Sequence, residues 1–289
     1  MNQKTKGVLC VLSSAACFTM MNTFVRLSGD IPSIEKSFFR NLVAMIFAFI
    51  ILLRSRGPFR WQPGNLKFLL LRSVAGTIGI LGNFYAVDHL VLSDATMLNK
   101  MSPFFGVLCS AVFLKEKCKP AQGFAILTAF IGSLFIIKPT FANADLFASA
   151  VGFAGGIGAG IAYTTVRHLG LRGEHGPLIV FFFSAFSCLS VVPYLLLHFQ
   201  PMTAAQLVLL LLAGLFAAGG QFSITAAYCF APAREISVYD YSQILFAAVT
   251  GYFLFQQIPD GYSVLGYIII CSMALFMFFY NKRQEESMS

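Results

Sequence analysis

Lys100 and Asp240 stand inside long apolar runs, and that placement makes them the first residues to read. A charge in a bilayer costs roughly 2.5–3.5 kcal/mol on insertion scales, so a membrane helix that keeps one aims it at a cavity or a partner. Lys100 follows Asn99 and precedes Pro103, and at helical spacing Thr96, Lys100, Pro103 and Val107 share a face. Pro103 brings no N–H, which frees a carbonyl near Asn99 and sets the ammonium beside an unsatisfied acceptor. Asp240 is flanked by Tyr239, Tyr241, Ser242 and Gln243. Lys100 and Asp240 in one pocket would suit a zwitterion. A buried carboxylate could instead carry a proton, and a structural tie from Lys100 to Asp94 or Asp240 would need no ligand.

Two arginines raise the same question. Arg40 either pairs with Glu35, Asp88 or Asp94, so that Arg40, Glu35 and Asp94 form an outer gate, or offers its planar guanidinium to a substrate carboxylate. Arg72 lies close to one end of its run and is expected to snorkel to the interface. Among neutral polar residues, Asn22, Asn83, Tyr163 and Gln221 are further pocket candidates. Thr19, Tyr85, Ser223 and Tyr228 are read as interhelical hydrogen-bond partners.

The elements that position these residues follow from composition. Of 289 residues, 57% are hydrophobic and 11% charged, too few charges to cover a water-soluble globule. This excludes a soluble enzyme, a disordered chain and a disulfide scaffold, and predicts a multi-pass, all-α membrane protein. The net charge of +8 accompanies no nucleic-acid motif. Seven cysteines without paired spacing give neither a disulfide framework nor a metal site, and no cofactor motif is present.

A hydrocarbon core needs roughly 20 apolar residues per helix. Ten such runs are present, near 7–28, 33–53, 65–88, 93–114, 120–138, 146–168, 176–198, 203–230, 235–256 and 260–280. The loops between them place fourteen Lys and Arg on one side and three (Arg26, Lys36, Lys138) on the other. By the positive-inside bias both termini are cytoplasmic in a cell (plasma or inner) membrane.

A shift of 141 residues aligns the two halves, setting Arg26 on Arg167, Asp94 on Glu235, Asn99 on Asp240 and Phe105 on Phe246. Five spans per half give 1–140 and 141–289 opposite membrane orientations. Inverted repeats of this kind build alternating access around a midplane site. Gly152, Gly156 and Gly160 form a small-residue stripe, as do Gly76, Gly79 and Gly82, and both are read as close helix–helix packing.

Several segments carry a family resemblance: Ser33–Arg40 (SIEKSFFR), Asn83–Asp94, Met101–Phe105 (MSPFF) with Lys115–Lys117 (KEK), and Ala226–Arg234 (AAYCFAPAR). In their order the chain resembles the drug/metabolite transporter superfamily, in the group with paired EamA domains. It departs from that pattern where Gln256 and Gln257 replace a usual glutamate. The resemblance implies a ten-helix bundle with a central cavity lined by spans one, three, four, six, eight and nine. Related proteins export amino acids and other metabolites, take up S-adenosylmethionine or exchange nucleotide sugars.

An integral membrane enzyme would show clustered acid–base or metal-binding residues, whereas His89, His168, His175 and His198 are scattered. A channel would show a filter-like loop, and none is visible. The expectation is a secondary transporter of a small organic metabolite, foremost an amino acid or related zwitterion. It would work as a monomer or homodimer, with proton or counter-substrate coupling open. An adenosyl or nucleotide-linked substrate, stacked on Tyr239 and Tyr241, is the alternative.

Overall fold

The computed structural model describes residues 2–55, 61–90, 92–139, 145–256 and 258–286. Its helices are α1 (Gln3–Leu27), α2 (Ser33–Arg54), α3 (Leu66–His89), α4 (Leu92–Asn99), α5 (Ser102–Phe113) and α6 (Pro120–Ile137). They continue with α7 (Leu146–Leu171), α8 (Gly176–His198), α9 (Ala204–Phe230), α10 (Ala233–Ile236), α11 (Ser242–Phe255) and α12 (Gly261–Glu286). Eight of them, α1–α3, α6–α9 and α12, are long and apolar enough to cross a membrane. The perimeter exposes large apolar side chains such as Phe113, Phe253, Leu196 and Phe279, while Glu35, Arg72, Lys100 and Glu235 are buried. Polar groups inside and hydrocarbon outside is the distribution that lipid selects.

The spans at 93–114 and 235–256 are not continuous helices. The first breaks at Lys100–Met101 between α4 and α5, and the second passes through α10 and a 3₁₀ turn, Ser237–Tyr241, before α11 begins. Pro103 falls in the first turn of α5, where a missing N–H costs least. Thr96, Lys100, Pro103 and Val107 therefore do not share one helical face: the helix ends between Thr96 and Pro103.

The two breaks lie at positions that the 141-residue shift superposes, Lys100 on Tyr241 and Ser102 on Gln243. The chain leaves α5 and α11 in the same way, with left-handed Lys115 (φ 55°) and Gln256 (φ 53°), also 141 residues apart. Packing follows this pattern. The long contacts are α1 on α9, α3 on α7, α2 on α8 and α6 on α12. Exchanging the halves converts the first pair into the second and returns the other two to themselves.

Helix α7 uses two small-residue stripes for two neighbours. A Cβ on Gly158 would meet the Ala75 carbonyl of α3 at 2.7 Å, and one on Gly156 would meet the Leu98 carbonyl of α4 at 2.8 Å. Backbones this close exclude any side chain, as expected of small-residue contacts in membranes.

Candidate functional site

The two broken spans clasp each other at the centre of the bundle. Lys100 Nζ donates to Gln243 Oε1 at 2.7 Å, to Asp240 Oδ2 at 3.2 Å and to the Asp240 carbonyl at 3.4 Å. In return the Tyr241 hydroxyl donates to the Lys100 carbonyl at 3.2 Å. The break supplies the Lys100 carbonyl, which lies past the end of α4, while the Asp240 carbonyl accepts from Lys100 as well as from the Ser242 amide. The Lys100–Asp240 pair is enclosed, with side chains 6% and 19% exposed.

The clasp forms one wall of a cavity of about 130 Å³. Of the expected binding residues, Lys100, Asp240, Arg40, Asn99, Tyr163, Asn22, Asn83 and Gln221 line it. Tyr239 and Tyr241 do not. Tyr241 is fully buried with its hydroxyl on Lys100, and Tyr239 packs into the hydrophobic core, so neither ring presents a stacking surface. Tyr163 does reach the cavity, but its ring stacks on Tyr228 at 4.8 Å between centroids. Arg40 and Phe183 bring spans two and seven into the lining, beyond the six spans that the resemblance implied.

Arg72 corrects the sequence reading most sharply. It is 2% exposed and lines the cavity rather than snorkelling outward. Its guanidinium lies 4.0 Å from the centroid of Phe183, and it occupies space that a side chain at Gly76 would take, since a Cβ there would lie 2.0 Å from Nη1. A glycine one turn on and an aromatic face across from it hold the charge inward. Gln243 was also missed as a lining residue, although the repeat sets it on Ser102 and both line the cavity.

Of the expected gate residues Arg40, Glu35 and Asp94, the two whose side chains are described, Arg40 and Glu35, form no ion pair with each other. Glu35 is 1% exposed and its Oε1 accepts from the Gln200 amide at 2.8 Å, because it belongs to the first turn of α2 where that loop passes. Arg40 turns to the cavity, with Phe18 at 5.5 Å. The side chain of Asp94 lies outside the described residues.

The two ends of the cavity differ. Asn22, near the C-terminal end of α1, is exposed, whereas Arg72, near the N-terminal end of α3, is buried. The end beyond Arg72 is closed by polar links. Arg167 Nε donates to Glu116 Oε1 at 3.1 Å, and its Nη1 to the Cys229 carbonyl at 3.0 Å. Lys4 pairs with Glu235 at 3.5 Å. Asn65 bridges Arg172 and Glu174, at 3.1 and 2.7 Å.

Eight helices long and apolar enough to cross a membrane, packed with two interrupted segments around a polar cavity, have the architecture of a membrane transporter. The profile of the EamA-like transporter family matches residues 5–138. The pseudopaline exporter CntI of Pseudomonas aeruginosa is 32% identical over 91% of this chain and 93% of its own. The chain belongs to the EamA-like transporter family, within the drug/metabolite transporter superfamily. A riboflavin transporter of Brucella anthropi is 23% identical over 92% of this chain and 96% of its own. The fold matches a solved crystal structure with a TM-score of 0.84, at 14% identity over 97% of this chain and 99% of that one.

Proposed function

We propose that this protein is a secondary transporter that moves a small amino acid or related zwitterion through the central cavity. Two inverted five-helix repeats, 1–140 and 141–289, would supply alternating access, with both termini cytoplasmic. By the positive-inside bias of the loop charges, the polar closures beyond Arg72 would lie on the cytoplasmic side and the Asn22 end outside. The pseudopaline exporter among its relatives favours export.

The observation that carries the reading is Lys100 and Asp240 paired with each other in the cavity wall. Splitting a buried ion pair without a replacement is costly. Self-pairing compensates Lys100 and Asp240 when the carrier is empty, and a zwitterion would compensate them equally, its ammonium replacing Lys100 at Asp240. This pair would then allow the carrier to cross between its states with or without cargo. Release of Asp240 from Lys100 would also open a route for proton coupling.

Reconstitution into proteoliposomes preloaded with labelled amino acids tests this. Wild-type vesicles should release label faster than protein-free vesicles, while Lys100→Ala and Asp240→Asn should lose most of that flux. Normal flux in both variants would remove these residues from the transport site.

A further inference from the structure

Among the described residues three cations, Arg40, Arg72 and Lys100, line the cavity against one carboxylate, Asp240. Lys100 is committed to Asp240 and Gln243. Among the described residues neither arginine has a carboxylate within 4 Å, and the buried Nε and Nη1 of Arg72 have no hydrogen-bond partner. Tyr163 lines the same cavity as Arg40, Arg72 and Asp240. A buried guanidinium with unfilled donors costs more than a filled one by the desolvation of each donor. The chain nonetheless holds Arg72 there deliberately, over Phe183 and in the space that Gly76 leaves.

We infer that Arg40 and Arg72 form an anion subsite, and that the preferred substrate carries two carboxylates: an amino dicarboxylate rather than a simple zwitterion. This rests on the cavity being the transport site proposed above. One carboxylate meets the Arg72 guanidinium, which lines the cavity, in a charge-assisted contact. The second meets Arg40, and the ammonium meets Asp240. A cavity of about 130 Å³ is of the size that admits a small organic ligand.

Glutamate and glutamine, nearly isosteric and differing by one carboxylate, are the probes. Binding to purified protein is read by thermal stabilisation and flux in proteoliposomes, with chloride and inorganic phosphate as separate arms. Wild type should prefer glutamate by roughly 10- to 100-fold in Kd, the effect of one charge-assisted contact. Arg72→Gln should abolish the preference. Gly76→Ala keeps the charge but drives Nη1 from its place, and should reduce the preference while the protein remains folded. Arg72→Lys, a point charge without the fork, should recover it only in part. Equal affinity for glutamate and glutamine with measurable flux of both overturns the subsite and leaves the transport reading standing. Phosphate or chloride stabilising as well as glutamate, and losing that effect in Arg72→Gln, overturns the dicarboxylate in favour of a simple anion site. Absence of flux for every probe overturns both readings.

Discussion

Lys100→Met is the sharpest test of the clasp between the broken spans. The variant keeps the volume of the side chain and removes its charge. Asp240 then loses its ion pair at 3.2 Å, and Gln243 Oε1 loses its donor at 2.7 Å. Stripping one member from a fully buried pair costs about 3–5 kcal/mol. Asp240 opens onto the cavity, where water can take up part of the lost bonding, so about 2–3 kcal/mol is expected, within the range for charge-assisted hydrogen bonds. At ~2–4 °C per kcal/mol for a large domain, the Tm in detergent should fall by about 4–12 °C. Asp240→Asn should fall by a similar amount. Lys100→Met combined with Asp240→Asn should lose much less than the two losses together, giving a coupling of about 1.5–3 kcal/mol in a double-mutant cycle. Single losses that add within about 0.5 kcal/mol would show that the two spans are held by something other than this pair.

Three other outcomes are expected. A Cβ on Gly160 would lie 2.4 Å from Phe105 Cβ and 2.8 Å from the Gly106 nitrogen, so Gly160→Ala must push α5 from α7. It should cost about 1–3 kcal/mol by thermal unfolding, whereas Gly219→Ala, which meets only Cys17 Sγ at 3.2 Å, should cost less. Arg167→Ala removes the bonds to Glu116 and to the Cys229 carbonyl, and peptide-resolved alkylation of Cys229 should accelerate severalfold relative to Cys271. In the connection before α12, the hydrogen bond from Lys138, together with the Ser263 amide, holds the Asp260 carboxyl down to about 2 from 3.8. A depressed folded-state value stabilises above the unfolded one, so the Tm advantage of wild type over Asp260→Asn should be complete above about pH 4 and vanish as pH falls through about 2.

Span positions were legible because hydropathy over roughly 20 residues is a strong signal. The observed α8, Gly176–His198, coincides with the expected 176–198. The breaks were not legible. Asp240, Ser242 and Gln243 interrupt their run too briefly for a window of roughly 20 residues to register, and nothing local distinguishes a proline such as Pro103 that starts a helix from one that kinks it. Lys100 and Asp240 were identifiable because a charge in an apolar run is costly wherever it lies. Arg72 was misread because its distance from the end of the run says nothing of direction. The space at Gly76 and the ring of Phe183 decide that, and Phe183 is brought there from 111 positions further along the chain. Tyr239 and Tyr241 failed in the opposite sense: adjacency to Asp240 in a 3₁₀ turn sends their rings to the core while the carboxylate faces the cavity.

The unequal ends of the molecule bear on how its conformations are populated. Arg167 meets a carboxylate, Glu116, whereas Arg26, its counterpart under the repeat, lies 4.2 Å from the centroid of Phe255. At the position that corresponds to Glu116 the sequence has Gln257, an uncharged residue. Two closures built from the same plan thus differ by an ion pair. A partly buried pair contributes on the order of 1 kcal/mol more than a neutral contact, which tilts a two-state equilibrium by about five- to tenfold. Under the alternating access proposed above, the empty carrier would rest with the Arg167 end shut, and cargo reaching the cavity from that side would first have to overcome the tilt. An asymmetry of one side chain would turn a symmetric rocker into a biased one.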